Sequence, residues 1–208
     1  MRLRARDLTI ERGGRRVIAG LSFEAPEGAA LIVTGPNGAG KTSLLRALAG
    51  FLPIEGGGFA LDGGDSERSL GEQAHYLGHA DGVKSALTAG ENLAFAAAML
   101  GGDPSRAAQV AALTALGLGH VVDFPARLLS AGQRRRAALA RLLMAKRPLW
   151  LLDEPTTALD AAAQSALGAI MRAHLQDGGI LVAASHGALE LDGARELKLG
   201  AIERAHAG

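Results

Sequence analysis

The sequence predicts an α/β fold: a mixed sheet core, antiparallel N-terminal strands and an inserted all-helical subdomain. Three observations lead there. The apolar run Ala30–Thr34 feeds a glycine-rich loop, Gly35-Pro36-Asn37-Gly38-Ala39-Gly40-Lys41-Thr42, that opens a helix. Leu149–Leu152 is a second apolar run, bounded by Pro148 and by Asp153-Glu154-Pro155, and reads as a central parallel strand. Between the two, roughly residues 79–146 carry helix caps and helix stops.

The elements follow in order. Strands near 2–10 and 16–24, joined through Gly13-Gly14, make a hairpin-like antiparallel start. Arg2, Arg4 and Arg6 alternate with Leu3, Ala5, Leu8 and Ile10, which suits the open face of an edge strand, where edge protection explains the charges as well as lipid headgroups do. The helix at 42–49 is closed by Gly50, and Phe59–Leu61 forms a short strand before Asp62-Gly63-Gly64. Thr88-Ala89-Gly90-Glu91 is a capping box opening a helix to about Leu100. Asp103-Pro104 reads as a cap with proline at the first helical position, opening a helix to about Leu116 that Gly117 and Gly119 end. Ser130 caps a helix running from Ala131 towards Met144, on which Arg134-Arg135-Arg136 reads as a charged outer face. Asp160 caps a helix over 161–174. Gly179–Ala184 is another buried strand, and Arg195–Leu199 alternates like a half-exposed one, before a frayed end at Glu203–Gly208. The expected organisation is one domain over 1–208, with a core at 1–78 and 147–204 and a helical subdomain at 79–146.

Composition narrows the function. A chain of 208 residues has room for a sizeable core. A formal net charge of +1 gives no argument for nucleic acid, although the amino end is locally basic through Arg12, Arg15 and Arg16 as well. With Cys 0, disulfides and thiolate metal sites are excluded. No signal peptide and no stretch of 18 apolar residues is read, so the chain is not expected to cross a membrane itself.

The glycine-rich loop is a phosphate cradle: Gly35, Gly38 and Gly40 let successive N–H groups approach oxygens, and the following helix adds its dipole. The candidate nucleotide-binding set is Gly35, Pro36, Asn37, Gly38, Ala39, Gly40, Lys41, Thr42 and Ser43. Lys41 reaches the β- and γ-phosphates, and the Thr42 hydroxyl suits Mg²⁺. Asp153 is the second metal-side candidate, and Glu154, pointed the other way by strand alternation, can accept a proton from an attacking water. His186, at the end of the 179–184 strand, either bonds the γ-phosphate or orients Glu154. Charged strand ends often face solvent without a role; beside a complete phosphate loop the catalytic reading is preferred.

Leu129-Ser130-Ala131-Gly132-Gln133, together with these motifs in this order, resembles the ATP-binding subunits of ABC transporters across essentially the whole chain. Ala131 stands where a second glycine is common. The resemblance implies a P-loop NTPase fold of the ABC type, ATP and Mg²⁺ as cofactors, and an ATP-sandwich dimer. In that dimer Ser130 and Gly132, with Gln133 beside them, close on the γ-phosphate held by the other copy, and Asp160 can touch the partner subunit. Such subunits usually carry a glutamine in the loop where His79 stands here; His79 then touches the membrane partner and Mg²⁺-bound water or phosphate. The pattern Gly78-His79-Ala80-Asp81-Gly82-Val83-Lys84, followed by Leu87-Thr88-Ala89-Gly90-Glu91-Asn92-Leu93, is similar to the ATP-binding subunits of cytochrome c biogenesis, the haem-exporter group. No aromatic residue precedes the phosphate loop to stack on adenine; Arg12 offers its guanidinium plane instead.

The resemblance implies a peripheral ATPase on the cytoplasmic face of the bacterial inner membrane. Its partners would be membrane permease subunits and, indirectly, a haem chaperone. Haem export and release of a haem-loaded periplasmic chaperone both remain open, as does service to another small ABC exporter. An ATP-driven clamp on nucleic acid or ribosomes is disfavoured, because the chain has no long coiled-coil insertion, tandem ATPase unit or broad basic face. His75, His79 and His120 are available ligands, but nothing builds an apolar haem slot around them.

Overall fold

The computed structural model describes residues 1–185, 189 and 191–200. Chain order is β1 (Arg2–Arg12), β2 (Arg15–Pro26), β3 (Ala30–Thr34), α1 (Lys41–Leu48), β4 (Gly56–Asp62), β5 (Ala74–Leu77), α2 (Ala89–Leu100), α3 (Arg106–Thr114), α4 (Ala131–Ala140), β6 (Leu149–Asp153), α5 (Ala161–Gln176), β7 (Ile180–Ala184) and β8 (Arg195–Lys198). It divides into two compact units: one of Met1–Gly78, Arg147–Glu154 and the described residues from Arg172 onward, and one of His79–Lys146 and Pro155–Met171.

Strand direction in the first unit is divided between two sheets. β2, β1 and β4 form an antiparallel sheet in that order, and β5-β6-β7-β3-β8 form a parallel one. The alternation read in β1 is real: Leu3, Ala5, Leu8 and Ile10 are buried while Arg2 and Arg6 are exposed. Its position differs from the expectation, because β1 lies between β2 and β4 and is no edge. The arginines answer neighbouring strands instead. Arg4 pairs with Asp62 on β4, diagonal to its register partner Ala60, and Arg2 pairs with Glu24 on β2. All five residues of β6 and of β7 are buried, as parallel strands covered on both faces require. Leu44, Leu45 and Leu48 of α1 join Leu149, Leu151, Ile180 and Val182 in one apolar core with Leu3, Leu8 and Ile10.

In the second unit α2 opens on the expected capping box, Thr88 receiving Glu91 N–H while Glu91 receives Thr88 N–H. α3 corrects the expectation. Its cap is Ser105, whose hydroxyl accepts Ala108 N–H, while Asp103 receives both the N–H and the hydroxyl of Ser105 at 2.8 Å. The carboxylate orients the capping serine rather than capping the helix, and α3 ends at Thr114. α4 ends at Ala140 and tightens into a 3₁₀ turn over Arg141–Leu143, so the helix stops short of Met144.

Candidate functional site

The phosphate loop leaves the carboxyl end of β3 and enters α1. Gly40 stands at the N-cap with φ 100°, carries no side chain to cap the helix, and α1 has no acidic residue in its first turn. The helical ladder begins with Leu44 N–H donating to Gly40 O at 2.8 Å, so the N–H groups just before it have no acceptor in the helix. They converge where an anion gains most from the dipole. Two glycines are required by space as well as by φ. A Cβ on Gly35 (φ +140°) would lie 2.4 Å from Leu199 O, and one on Gly40 would lie 3.0 Å from Val17 O. Pro36, Asn37 and Gly38 are exposed at the loop's tip, Ala39 is buried under it, and Ser43 is buried in the first turn.

Lys41 is 8% exposed, and its Nζ donates to Gly35 O at 2.7 Å and Pro36 O at 3.3 Å. Its charge therefore lies within the loop, held by neutral carbonyls. Thr42 Oγ1 donates to Asp153 Oδ2 at 2.9 Å, although 111 residues separate them in sequence. In the parallel sheet β3 and β6 flank β7, so the chain ends after β3 and β6 open on the same side. A hydroxyl and a buried carboxylate, both hard oxygen donors, are the kind of pair Mg²⁺ takes while phosphates and water supply the rest. The negative charge of Asp153 is felt nearby: burial chiefly, and then Asp153, push the Tyr76 phenol above its ordinary value, with Arg46 opposing.

Glu154 follows β6 with φ +49°, and its N–H donates to Ala184 O at 2.9 Å. Its direction is thus set by a left-handed turn and not by strand alternation, which corrects the sequence argument while leaving Glu154 beside Asp153. A non-glycine residue in that region carries strain, and Pro155 follows at once. His186 lies outside the described residues. Arg12 ends β1, exposed.

The remaining candidates belong to the second unit. Ser130 caps α4: its hydroxyl accepts Gln133 N–H at 3.2 Å and Gln133 Oε1 receives Ser130 N–H at 2.9 Å. Gln133 thereby spends its side chain on the cap. A Cβ on Gly132 would meet Ala158 O at 3.2 Å. Asp160 receives Ala163 N–H at 2.8 Å, the bond expected of an N-cap on α5. His79 is exposed.

The arginine run on α4 is not a charged outer face throughout, because its middle residue is buried. Arg135 is 4% exposed and its Nη1 donates to Asp81 Oδ1 at 3.2 Å. The signal was in the sequence: Arg135 shares a helical face with Ala138, Leu139 and Leu142, all buried. Asn92 is buried as well, and holds the backbone of Lys84 through both its N–H and its carbonyl.

The profile of the ABC transporter family matches residues 18–157. The chain is 55% identical over 202 residues to the cytochrome c biogenesis ATP-binding export protein CcmA of Bradyrhizobium diazoefficiens, covering 97% of this chain and 100% of that one. It is 57% identical to the protein of the same name from Nitrobacter hamburgensis, covering 96% and 98%. Among solved structures, an ABC transporter ATP-binding protein from Pyrococcus furiosus superposes with a TM-score of 0.83 at 22% identity, covering 96% and 98%, which speaks for the fold. A bacterial Atm1-family ABC exporter with ATP bound superposes at 0.81 and 26% identity, covering 97% of this chain and 38% of the exporter. A phosphate loop, an acidic strand end and a family match over most of the chain converge: the chain belongs to the ABC transporter family of ATP-binding subunits.

Proposed function

We propose that this chain hydrolyses MgATP as one half of an ATP-sandwich dimer and powers a membrane complex of cytochrome c maturation. That complex exports haem or releases a haem-loaded periplasmic chaperone. The ATPase assignment rests on one observation above the rest, the Thr42–Asp153 hydrogen bond at 2.9 Å beside the phosphate loop. The cytochrome c assignment rests on relatives whose names carry that function and whose length this chain spans. No helix among the described residues is long and apolar enough to cross a membrane, so the proposal places the chain peripherally, on the cytoplasmic face, with permease subunits as its anchor.

In this reading the loop's N–H groups and Lys41 bind the phosphates, and Thr42 and Asp153 hold Mg²⁺. Bound there, Mg²⁺ would neutralise charge on the phosphate oxygens. Glu154 accepts the proton of the attacking water, and His186 holds either Glu154 or the γ-phosphate. Ser130 and Gly132 serve the site of the other copy, which the exposed start of α4 favours. His79 meets the membrane partner. Arg12 takes the adenine face.

Two experiments test this. Glu154→Gln keeps shape and removes proton acceptance, so nucleotide affinity stays near wild type while turnover falls roughly 10²-fold or more; unchanged turnover would remove Glu154 from its role. Affinity purification of the chain from membranes, with identification of its companions, is expected to recover cytochrome c maturation subunits. Recovery of an unrelated permease instead would overturn the partner assignment.

A further inference from the structure

The loop between β5 and α2 is tied down twice, by two different helices of the second unit. Asn92 on α2 receives Lys84 N–H at 2.7 Å and donates to the carbonyls of Lys84 at 3.1 Å and Thr88 at 2.8 Å. Asp81 receives Nη1 of Arg135 on α4 at 3.2 Å, with the arginine side chain 4% exposed and the aspartate 25%. Arg141, just past α4, crowds the same turn: a Cβ on Gly82 (φ +63°) would lie 3.3 Å from its Nη1. Burial pushes the Arg141 guanidinium below its ordinary value; Asp81 raises it and Arg135 lowers it further. One carboxylate thus faces two guanidinium groups.

The Asn92 bonds hold the loop's end at Lys84 and Thr88. A buried ion pair adds little stability, because desolvation offsets the attraction. What it adds is registry between the two elements it joins. On one side stands a loop whose outer surface is open: His79 is exposed, and the Lys84 ammonium lies 4.8 Å from the centre of the Phe95 ring, itself 49% exposed. On the other side stands α4, whose first residues, Ser130 and Ala131, are also exposed. Arg135 lies five residues beyond Ser130, little more than one turn into a rigid helix.

We propose that Asp81 and Arg135 are positioning residues that lock the His79 loop to α4, so that displacement of the loop by a membrane partner is delivered to Ser130 and Gly132. The proposal rests on the ATP-sandwich reading above. The Asp81–Arg135 bond survives a displacement of the loop only if α4 moves with it, which makes the pair a mechanical link. Asn92, on α2, fixes the loop's far end through the backbone of Lys84 and Thr88.

The test uses the full chain and four forms: wild type, Asp81→Asn, Arg135→Met and the double variant. Each is measured for melting midpoint, for turnover and KM for MgATP alone and in the membrane complex, and for ATP-dependent dimerisation by light scattering in a Glu154→Gln background. Either single variant is expected to lower the melting midpoint and to cut turnover roughly tenfold, with KM within about twofold. The double variant removes both charges of the pair and leaves only Arg141 without the carboxylate, so its melting midpoint recovers in part. Its turnover and dimerisation stay low, because the link is gone. A double variant that recovers turnover along with stability shows a purely structural pair and overturns the proposal. So do single variants with wild-type turnover and dimerisation, and so does a double variant that fails to fold. A wild-type chain that neither hydrolyses ATP nor dimerises with it overturns the proposed function itself, an outcome distinct from failure of the ion pair alone.

Discussion

Two buried cations in this protein are held in opposite ways. Lys41, in the first unit, rests on the neutral carbonyls of Gly35 and Pro36. Arg135, in the second, rests on the carboxylate of Asp81. The carbonyls take two bonds from the ammonium but carry no charge to balance it, so an arriving phosphate gains a charge-assisted attraction. The carboxylate opposes the charge of Arg135 within its own unit and holds that side chain in the scaffold. The side chain with its charge open is the one to expect at a binding site, and the compensated one is the one to expect in a scaffold.

The first way to break this comparison carries the largest expected effect. Lys41→Ala should lower nucleotide affinity by roughly 10²-fold, a factor that corresponds to about 2.7 kcal/mol of lost charge-assisted bonding. The fold should be nearly indifferent, since only two backbone carbonyls lose a donor. Nucleotide titration together with a melting curve checks both halves. Wild-type affinity, or a large loss of stability, would make Lys41 a scaffold residue like Arg135.

The second prediction falls on the scaffold side. Asn92 is 7% exposed, and its amide makes three bonds to the backbone of Lys84 and Thr88. Asn92→Ala strands the Lys84 N–H and carbonyl and should cost about 2–3 kcal/mol in denaturant unfolding. Nucleotide affinity of the folded variant should hold. A loss below about 0.5 kcal/mol would mean that water replaces the amide without penalty.

The third is smaller. Ser105→Ala removes the hydroxyl that accepts Ala108 N–H and should cost about 1 kcal/mol. Asp103→Ala removes only the group that orients that hydroxyl and should cost less. Equal losses in the two variants would return the capping role to Asp103.

These contrasts show what the sequence made legible. Glycines at 35 and 40, the apolar run of β6 and the Thr88–Glu91 box each follow a local rule that tertiary packing reinforces, so phosphate loop, parallel strand and α2 could be read directly. What escaped depended on partners far away in the chain. Arg135 looks like a surface residue until Asp81, 54 positions earlier, is brought to it, and β1 looks like an edge until β4 closes its second side. The direction of Glu154 escaped for a local reason: period-two alternation stops with the strand, and φ +49° sets the next residue by itself.

The last prediction concerns a half-buried imidazole, a third way of handling a polar group against the core. His174 of α5 stacks on Trp150 of β6, with ring centroids 4.0 Å apart and planes 8° apart, and its Nε2 lies 3.2 Å from Ile180 O. The chain has Trp 1, so this ring pair has its own fluorescence signal. Burial lowers the His174 pKa from its ordinary 6.5, while the Ile180 carbonyl and the charge of Asp177 partly oppose the shift. The folded state therefore binds fewer protons than the unfolded chain in the window between the lowered value and 6.5. Stability is fully present above that window, falls as pH drops through it, and loses no more once both states are protonated. His174→Phe keeps a ring against Trp150 and removes the titration, so its unfolding free energy should depend less on pH across that range. Denaturant titrations followed by Trp150 fluorescence at several pH values give both slopes. Parallel slopes for wild type and variant would show that His174 gains or loses its proton without regard to the fold, and that its stacking alone matters.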